Sequence, residues 1–321
     1  MNRLFTLLIF CGTLTVGVAQ QAPQYSMYLF NKFGFNPAYA GLDHTLSITG
    51  VSRWQWVNLQ GSPQTQQVNV HMPLYLVGGG LGMTFENDQL GAEQRLAFSL
   101  AYNYQVPVGA KGILSFGLSA GYLQYSLDGA KILTPGGDYE GGQIDHNDQL
   151  LPVGKESTSA PTAHAGIYYQ GEWLEAGFSA VNLLETPLGF GGFDYQLARS
   201  YYFNLGGKLA LGRRFQLLPG VLVKSDLEQL QIDLSAVVQY NDNIFGGASF
   251  RGYNAESLDG VVILAGIKLN EKITLAYSYD LTLSTLREVS DGSHEILINY
   301  NLGKPVGKGK MPPVIYNPRF R

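Results

Sequence analysis

The chain has 321 residues and a formal net charge of −4, with only 14% charged residues against 40 glycines and 20 tyrosines. A slightly acidic balance argues against nucleic-acid binding, which needs a basic face, and charge this scarce is unusual for a soluble enzyme. The single cysteine, Cys11, provides neither a disulfide pair nor a cysteine metal site.

Residues 1–19 have the layout of a secretory signal. Met1-Asn2-Arg3 supplies the positive charge, the uncharged apolar run from Leu4 to Leu14 comes next, and Gly17-Val18-Ala19 offers small residues for cleavage before Gln20. The run is shorter than the roughly 20 residues a membrane-spanning helix needs. Cys11 lies inside it behind Phe10, not behind the small residues of a lipoprotein signal, so it leaves with the signal.

Residues 20–41 are polar, yet they carry Tyr25, Met27, Tyr28, Phe30, Phe33, Phe35 and Tyr39 around Asn36-Pro37. So many aromatic side chains call for burial. The segment is therefore expected to plug or line the interior of a barrel formed by the rest of the chain, or to remain as a periplasmic segment.

From residue 42 to 303 the dominant signal is alternation. In the run from Arg95 to Tyr104 every second residue is large and apolar or aromatic, and those between are small or polar. The runs Leu114 to Ala120, Ile232 to Ser235 and Ile273 to Tyr279 repeat the pattern. A period of two sends alternate side chains to opposite faces of a strand. The pattern predicts strands at 45–57, 64–73, 79–87, 93–106, 112–127, 161–170, 173–183, 199–212, 215–225, 229–240, 244–253, 259–269, 272–281 and 293–303, about fourteen in all and even in number, as in single-chain bacterial barrels.

A soluble β-sandwich alternates too, but three features favour an all-β, single transmembrane antiparallel barrel. Many segments run to about ten residues, enough for a tilted membrane strand. The inward set is Gly, Ser, Asn, Lys and Asp, not a second apolar layer. Aromatics such as Trp54, Trp56, Tyr102, Tyr104, Tyr279 and Tyr300 fall near segment ends, as in an interfacial girdle.

The connections alternate in length, except that the first outer one, near Gly61-Ser62-Pro63, is short. Gln170-Gly171-Glu172, Gly212-Arg213-Arg214 and Asn270-Glu271-Lys272 are compact, whereas 128–160, 184–198, 254–258 and 282–292 are the outer loops. An even strand count predicts both chain ends on the short-turn, periplasmic side. Pro219 falls within a strand, where it removes a ladder donor, and predicts a bulge. The tail 304–321 is basic, proline-rich and expected in the periplasm.

Inward positions carry Arg53, Glu86, Arg95, Glu175, Lys208, Lys224, Asp233, Arg251, Lys268 and Asp280. A selective pore favours one sign of charge. Mixed signs fit an internal pairing network better, though a solute path is the alternative. The candidate lumen and plug set is Tyr25, Tyr28, Phe30, Phe33, Arg53, Arg95, Arg251 and Asp280. His71 and His164 are inward without ligand partners at metal-binding spacing. Asp145-His146-Asn147-Asp148 lacks the layout of an EF-hand loop. Gly78-Gly79-Gly80-Leu81-Gly82 enters a strand, not the helix that a phosphate cradle requires. Ser99 and Ser119 have no histidine placed by the sequence, as a nucleophile requires. No catalytic residue, metal or cofactor is expected.

In the loop 184–198, Leu188, Phe190, Phe193 and Tyr195 lie among glycines. Exposed apolar residues mark a partner surface unless they pack together. The two readings are a docking surface and a loop that folds inward to cap its own barrel.

Several motifs together resemble one family. They are Gln24-Tyr25-Ser26-Met27-Tyr28, Asn36-Pro37-Ala38-Tyr39-Ala40-Gly41, Arg53-Trp54-Gln55-Trp56, Gly61-Ser62-Pro63-Gln64-Thr65, Ser115-Phe116-Gly117-Leu118, Phe250-Arg251, Tyr277-Ser278-Tyr279-Asp280 and Gly292-Ser293-His294-Glu295-Ile296. In this order, across nearly all of the mature chain, they resemble the PorP/SprF family. The resemblance implies an outer-membrane protein of Bacteroidota linked to type IX secretion. It also implies a partner class: secreted proteins, gliding adhesins among them, that carry a C-terminal sorting domain. Some members also contact periplasmic secretion and motility components. A small-solute porin, and a scaffold tying the outer membrane to a periplasmic motor, are the rival readings.

Overall fold

The computed structural model describes residues 23–190, 193–252 and 260–303. The expected signal with Cys11, the tail 304–321 and the outer connection 254–258 lie outside the described residues.

The strands are β1 (Ser47–Trp54), β2 (Gln64–Leu74), β3 (Gly79–Leu90), β4 (Glu93–Val108), β5 (Gly112–Asp128), β6 (Lys155–Gln170), β7 (Leu174–Val181), β8 (Pro187–Phe190), β9 (Phe193–Gln196), β10 (Ser200–Gly207), β11 (Leu209–Leu211), β12 (Phe215–Ser225), β13 (Leu230–Tyr240), β14 (Ile244–Arg251), β15 (Gly260–Lys268), β16 (Ile273–Thr282) and β17 (Ser293–Asn301). Each pairs antiparallel with its neighbour, and the β1–β17 pairing closes the ring. β10 and β11 are two halves of one strand and both face β12, which makes a closed barrel of 14 strands. β8 and β9 form a separate hairpin within an outer loop.

The barrel is polar inside and apolar outside. On β13, Asp233 and Ser235 are buried, whereas Leu234 between them is 49% exposed. On β17, Glu295 and Leu297 are buried while Ile296 and Ile298 face outward. Apolar side chains in this number on the outer wall are matched by lipid, and closure leaves no strand edge unpaired in it. Tyr102, Tyr104 and Trp173 are exposed near the short-turn rim, at girdle positions. Among the described residues no helix is long and apolar enough to cross a membrane.

All fourteen barrel segments expected from alternation are present. The differences have local causes. β6 begins at Lys155, and β5 and β6 pair as far as Asp128 opposite Lys155, so β6 extends well past β7, whose pairing with it ends at Ala165 opposite Ala180, while β4 follows β5 as far as Glu93 opposite Leu127. The expected bulge at Pro219 is absent: Gly206 stands opposite Gly220 and Leu209 opposite Leu217, one unbroken register. The facing strand is instead interrupted at Lys208, next to the residue that stands opposite Pro219, while the Lys208 N–H keeps the β7 register by donating to Trp173 O (2.9 Å).

The strand ends meet as parity requires, with the Leu302 N–H donating to Leu46 O at the short-turn rim (2.9 Å). The chain before β1 does not stay there. It turns into the lumen, and Gln24 reaches the opposite rim, where it bonds Gln231 and Gln55.

Candidate functional site in a filled lumen

The segment 23–46 occupies the lumen and is bonded to the wall along its length. Near the short-turn rim, Asn36 caps the single 3-10 turn Pro37–Tyr39 by accepting the Ala38 N–H. Its amide donates to the carbonyls of Ile167 (3.2 Å) and Phe178 (3.3 Å). Ala38 O accepts from Asn103 and Ser115, and Ala40 O from Asn103 and Gln105. These side chains complete backbone groups that would otherwise be buried unpaired.

Close approach is possible because the wall lacks side chains at these points. A Cβ on Gly117 would fall 2.5 Å from Ala38 Cα, and one on Gly166, Gly80 or Gly82 would collide with Asn36, Ala40 or the Phe33 ring. Beyond this seat, Phe30 stacks on Phe245 at 4.5 Å. Asn31 donates to Gln67 and accepts from Asn69. Lys32 pairs with Glu175.

The densest cluster surrounds Ser26. Its hydroxyl donates to Asp280 (2.7 Å) and accepts from Arg53 (2.8 Å) and Arg251 (3.1 Å). Glu295 accepts the backbone N–H groups of Ser26 (2.7 Å) and Met27 (3.0 Å), together with an Arg53 N–H (3.2 Å). Arg251 also pairs with Asp233 (2.7 Å) and Asp280 (3.0 Å). Arg53 is 1% exposed and Glu295 0%. Charges buried this deeply hold only while paired and hydrogen-bonded. Here the pairing needs the lumen segment, because Ser26 supplies partners to both signs.

A second cluster is adjacent. Glu86 accepts from Tyr25 (2.7 Å), Gln67 (2.8 Å) and Arg95 (2.5 Å). Tyr28 is buried and its hydroxyl donates to Asp233 O (3.4 Å). The eight residues expected in the lumen, Tyr25, Tyr28, Phe30, Phe33, Arg53, Arg95, Arg251 and Asp280, are thus all inside the barrel. Lys208 and Lys268, read as inward, stand exposed where their strands reach the short-turn rim.

Sequence reasoning passed over Ser26, Glu295 and the inward amides Gln67, Asn69 and Asn103. Glu295 was detectable, since Ile296 and Ile298 alternate with it. The resemblance motifs also converge here: Ser26, Arg53, Arg251, Asp280 and Glu295 each come from a different one.

Beside the segment the lumen retains a cavity of about 140 Å³, lined by Glu86, Arg95, Ser119, His164, Lys224 and Asp233 among others. Ser119 lies directly opposite His164 in register, a serine–histidine pair that the sequence did not reveal. The pair does not make a nucleophile. The Ser119 hydroxyl has no hydrogen-bond partner. His164 Nδ1 accepts the Asn182 N–H (3.0 Å), which places the proton on Nε2 and leaves no basic nitrogen for the serine. His71 similarly accepts the Gly41 N–H at Nδ1 (3.1 Å). Among the described residues, no group of three or more His, Cys, Asp or Glu side chains could hold a metal.

Of the loop candidates, Leu188 is buried. It packs with Leu197 from the same loop onto Leu123, Tyr125, Leu127 and Ala160 of β5 and β6. The side chains of Phe190, Phe193 and Tyr195 lie outside the described residues.

Residues 17–300 match the family model described as type IX secretion system membrane protein PorP/SprF. No curated protein matches. Among solved structures, the chain is similar to the CymD monoaromatic hydrocarbon channel, at 10% identity and a TM-score of 0.46, covering 85% of this chain and 97% of that one. It is also similar to the Acinetobacter baumannii outer membrane protein Omp33, at 7% identity and a TM-score of 0.43, covering 80% and 96%. A Pseudomonas aeruginosa FadL homologue matches at 11% identity and a TM-score of 0.40, covering 87% and 95%.

Proposed function

The chain belongs to the PorP/SprF family of type IX secretion system membrane proteins, and we propose that it assists the export or surface anchoring of a secreted protein by holding that protein's C-terminal sorting domain at the long-loop face. The barrel and the family support a role in outer-membrane transport associated with type IX secretion. The observation that carries the finer reading is the filled lumen. A segment bonded to the wall from Gly41 to Gln24 occupies much of the lumen, which supports placing the work at the faces of the barrel. The loops at 129–154 and 182–199 give the long-loop face an area that the compact turns opposite do not match. The protein acts without catalysis, and the source is a Bacteroidota outer membrane.

Purification of the native protein in mild detergent, followed by mass spectrometry of what copurifies, tests this. A secreted protein with a C-terminal sorting domain is the expected partner. Recovery of periplasmic secretion or motor components alone moves the working face to the short turns. Large steady conductance in planar bilayers replaces the reading with a porin.

A further inference from the structure

The lumen segment does not return to the rim from which it entered. Leu46 is bonded to Leu302 at the short-turn rim. Gly41 abuts Met72 and Pro73, just before the turn into β3. Ser26 lies level with Glu295, near the long-loop end of β17. Gln24 is held between Gln55, the residue after β1 ends, and Gln231, the second residue of β13. Both of these positions belong to the long-loop rim. Pro23 precedes Gln24 and lines the lumen cavity. The segment therefore crosses the barrel from one rim to the other.

The crossing is fixed at many points. Backbone seats at Gly117 and Gly166, the Asn31–Gln67 bond and the Ser26 cluster grip it in succession. Withdrawal would leave the buried Glu295 and Arg53 short of partners. These two residues also stand opposite each other across the β1–β17 pairing, so the segment is built into the seam that closes the ring.

We propose that this segment is a permanent strut, not a retractable gate, and that it carries the chain across the lumen to the outer, long-loop rim at Gln24. The crossing holds whether or not a client is bound.

The test places a short epitope immediately before Pro23 in the full-length protein, with cysteines at Gly136 and, separately, Glu271 as references for the two rims. Antibody should bind the epitope on intact cells to the same extent as after permeabilisation, and a membrane-impermeant maleimide should label the Gly136→Cys variant but not Glu271→Cys. Epitope exposure only after permeabilisation, with Gly136→Cys labelled on intact cells, overturns the proposal. So does an epitope hidden from both sides until the barrel is unfolded. Labelling of Glu271→Cys but not Gly136→Cys on intact cells overturns the orientation itself. A variant that fails to reach the outer membrane is replaced by Pro23→Cys, read with the same maleimide and the same outcomes.

Discussion

Arg53 and Glu295 face each other in register across the two strands that close the barrel, 3.2 Å apart, and both bond Ser26 of the segment inside it. Closure of the wall and filling of the lumen are therefore one structural event. An empty barrel would hold a buried carboxylate without its two backbone donors, and an open seam would leave the segment without its anchor.

The first prediction concerns that anchor. Glu295→Ala leaves Arg53 and two backbone N–H groups short of an acceptor, and breaking a buried pair on one side costs about 3–5 kcal/mol. Glu295→Gln keeps the shape and loses the charge, at a cost of about 1–3 kcal/mol. The temperature at which the unheated barrel loses its compact band in gel electrophoresis should fall in both, and further in the alanine variant. An alanine variant as heat-resistant as the native protein removes the anchor from the account.

A second prediction comes from the wall. Gly117 leaves room for the Ala38 backbone, and a Cβ there would sit 2.5 Å from Ala38 Cα. Gly117→Val should displace the segment at an overpacking cost of about 1–3 kcal/mol. The expected result is bilayer conductance in a barrel that still inserts. Gly154→Ala, where nothing lies within 4 Å of the new Cβ, should change neither property.

Much of the fold was legible because lipid outside and polar groups inside impose a period of two on every membrane-crossing strand. Legibility fails where that constraint ends. The first residues of β6, Lys155-Glu156-Ser157-Thr158-Ser159, belong to the part of that strand that extends past β7, so no apolar alternation marks them. Pro219 suggested a bulge, but a closed ring holds its register on both sides, and the facing strand is interrupted at Lys208 instead. The inward charges were visible one by one, whereas their meeting at Ser26 depends on a segment whose path has no period. The aromatic content of that segment announced burial but not that it crosses to the far rim.

The third prediction is that this segment closes the channel. Deleting residues 24–35 removes Ser26, Phe30 and Phe33 and so strips the centre of the lumen. Single-channel recordings should pass from negligible to large steady conductance, and the heat resistance of the barrel should fall because the Arg53–Glu295 seam loses its partner. A deletion variant that stays closed shows that the loops, not the segment, block the path.

The last prediction separates the two roles of the loop at 182–199. Leu188 is 0% exposed and packs on Leu123, Tyr125 and Leu127 of the inner wall, so one side of the hairpin is committed to the barrel. Truncating a buried leucine costs about 2–5 kcal/mol. Because Leu188 belongs to a hairpin whose sheet is separate from the ring, Leu188→Ala should loosen the loop without melting the ring. Protease nicking between Asn182 and Arg199 should become faster while the gel-shift temperature stays unchanged. Phe190 and Phe193 flank the hairpin tip, and aromatic residues are the usual anchors of interfaces. Under the proposed function, replacing both with serine leaves nicking and heat resistance as they were and releases the client from the cell surface to the medium. If the serine variant instead keeps its client and is nicked as readily as Leu188→Ala, both sides of the hairpin serve the lid, and the client site belongs to another part of the outer rim.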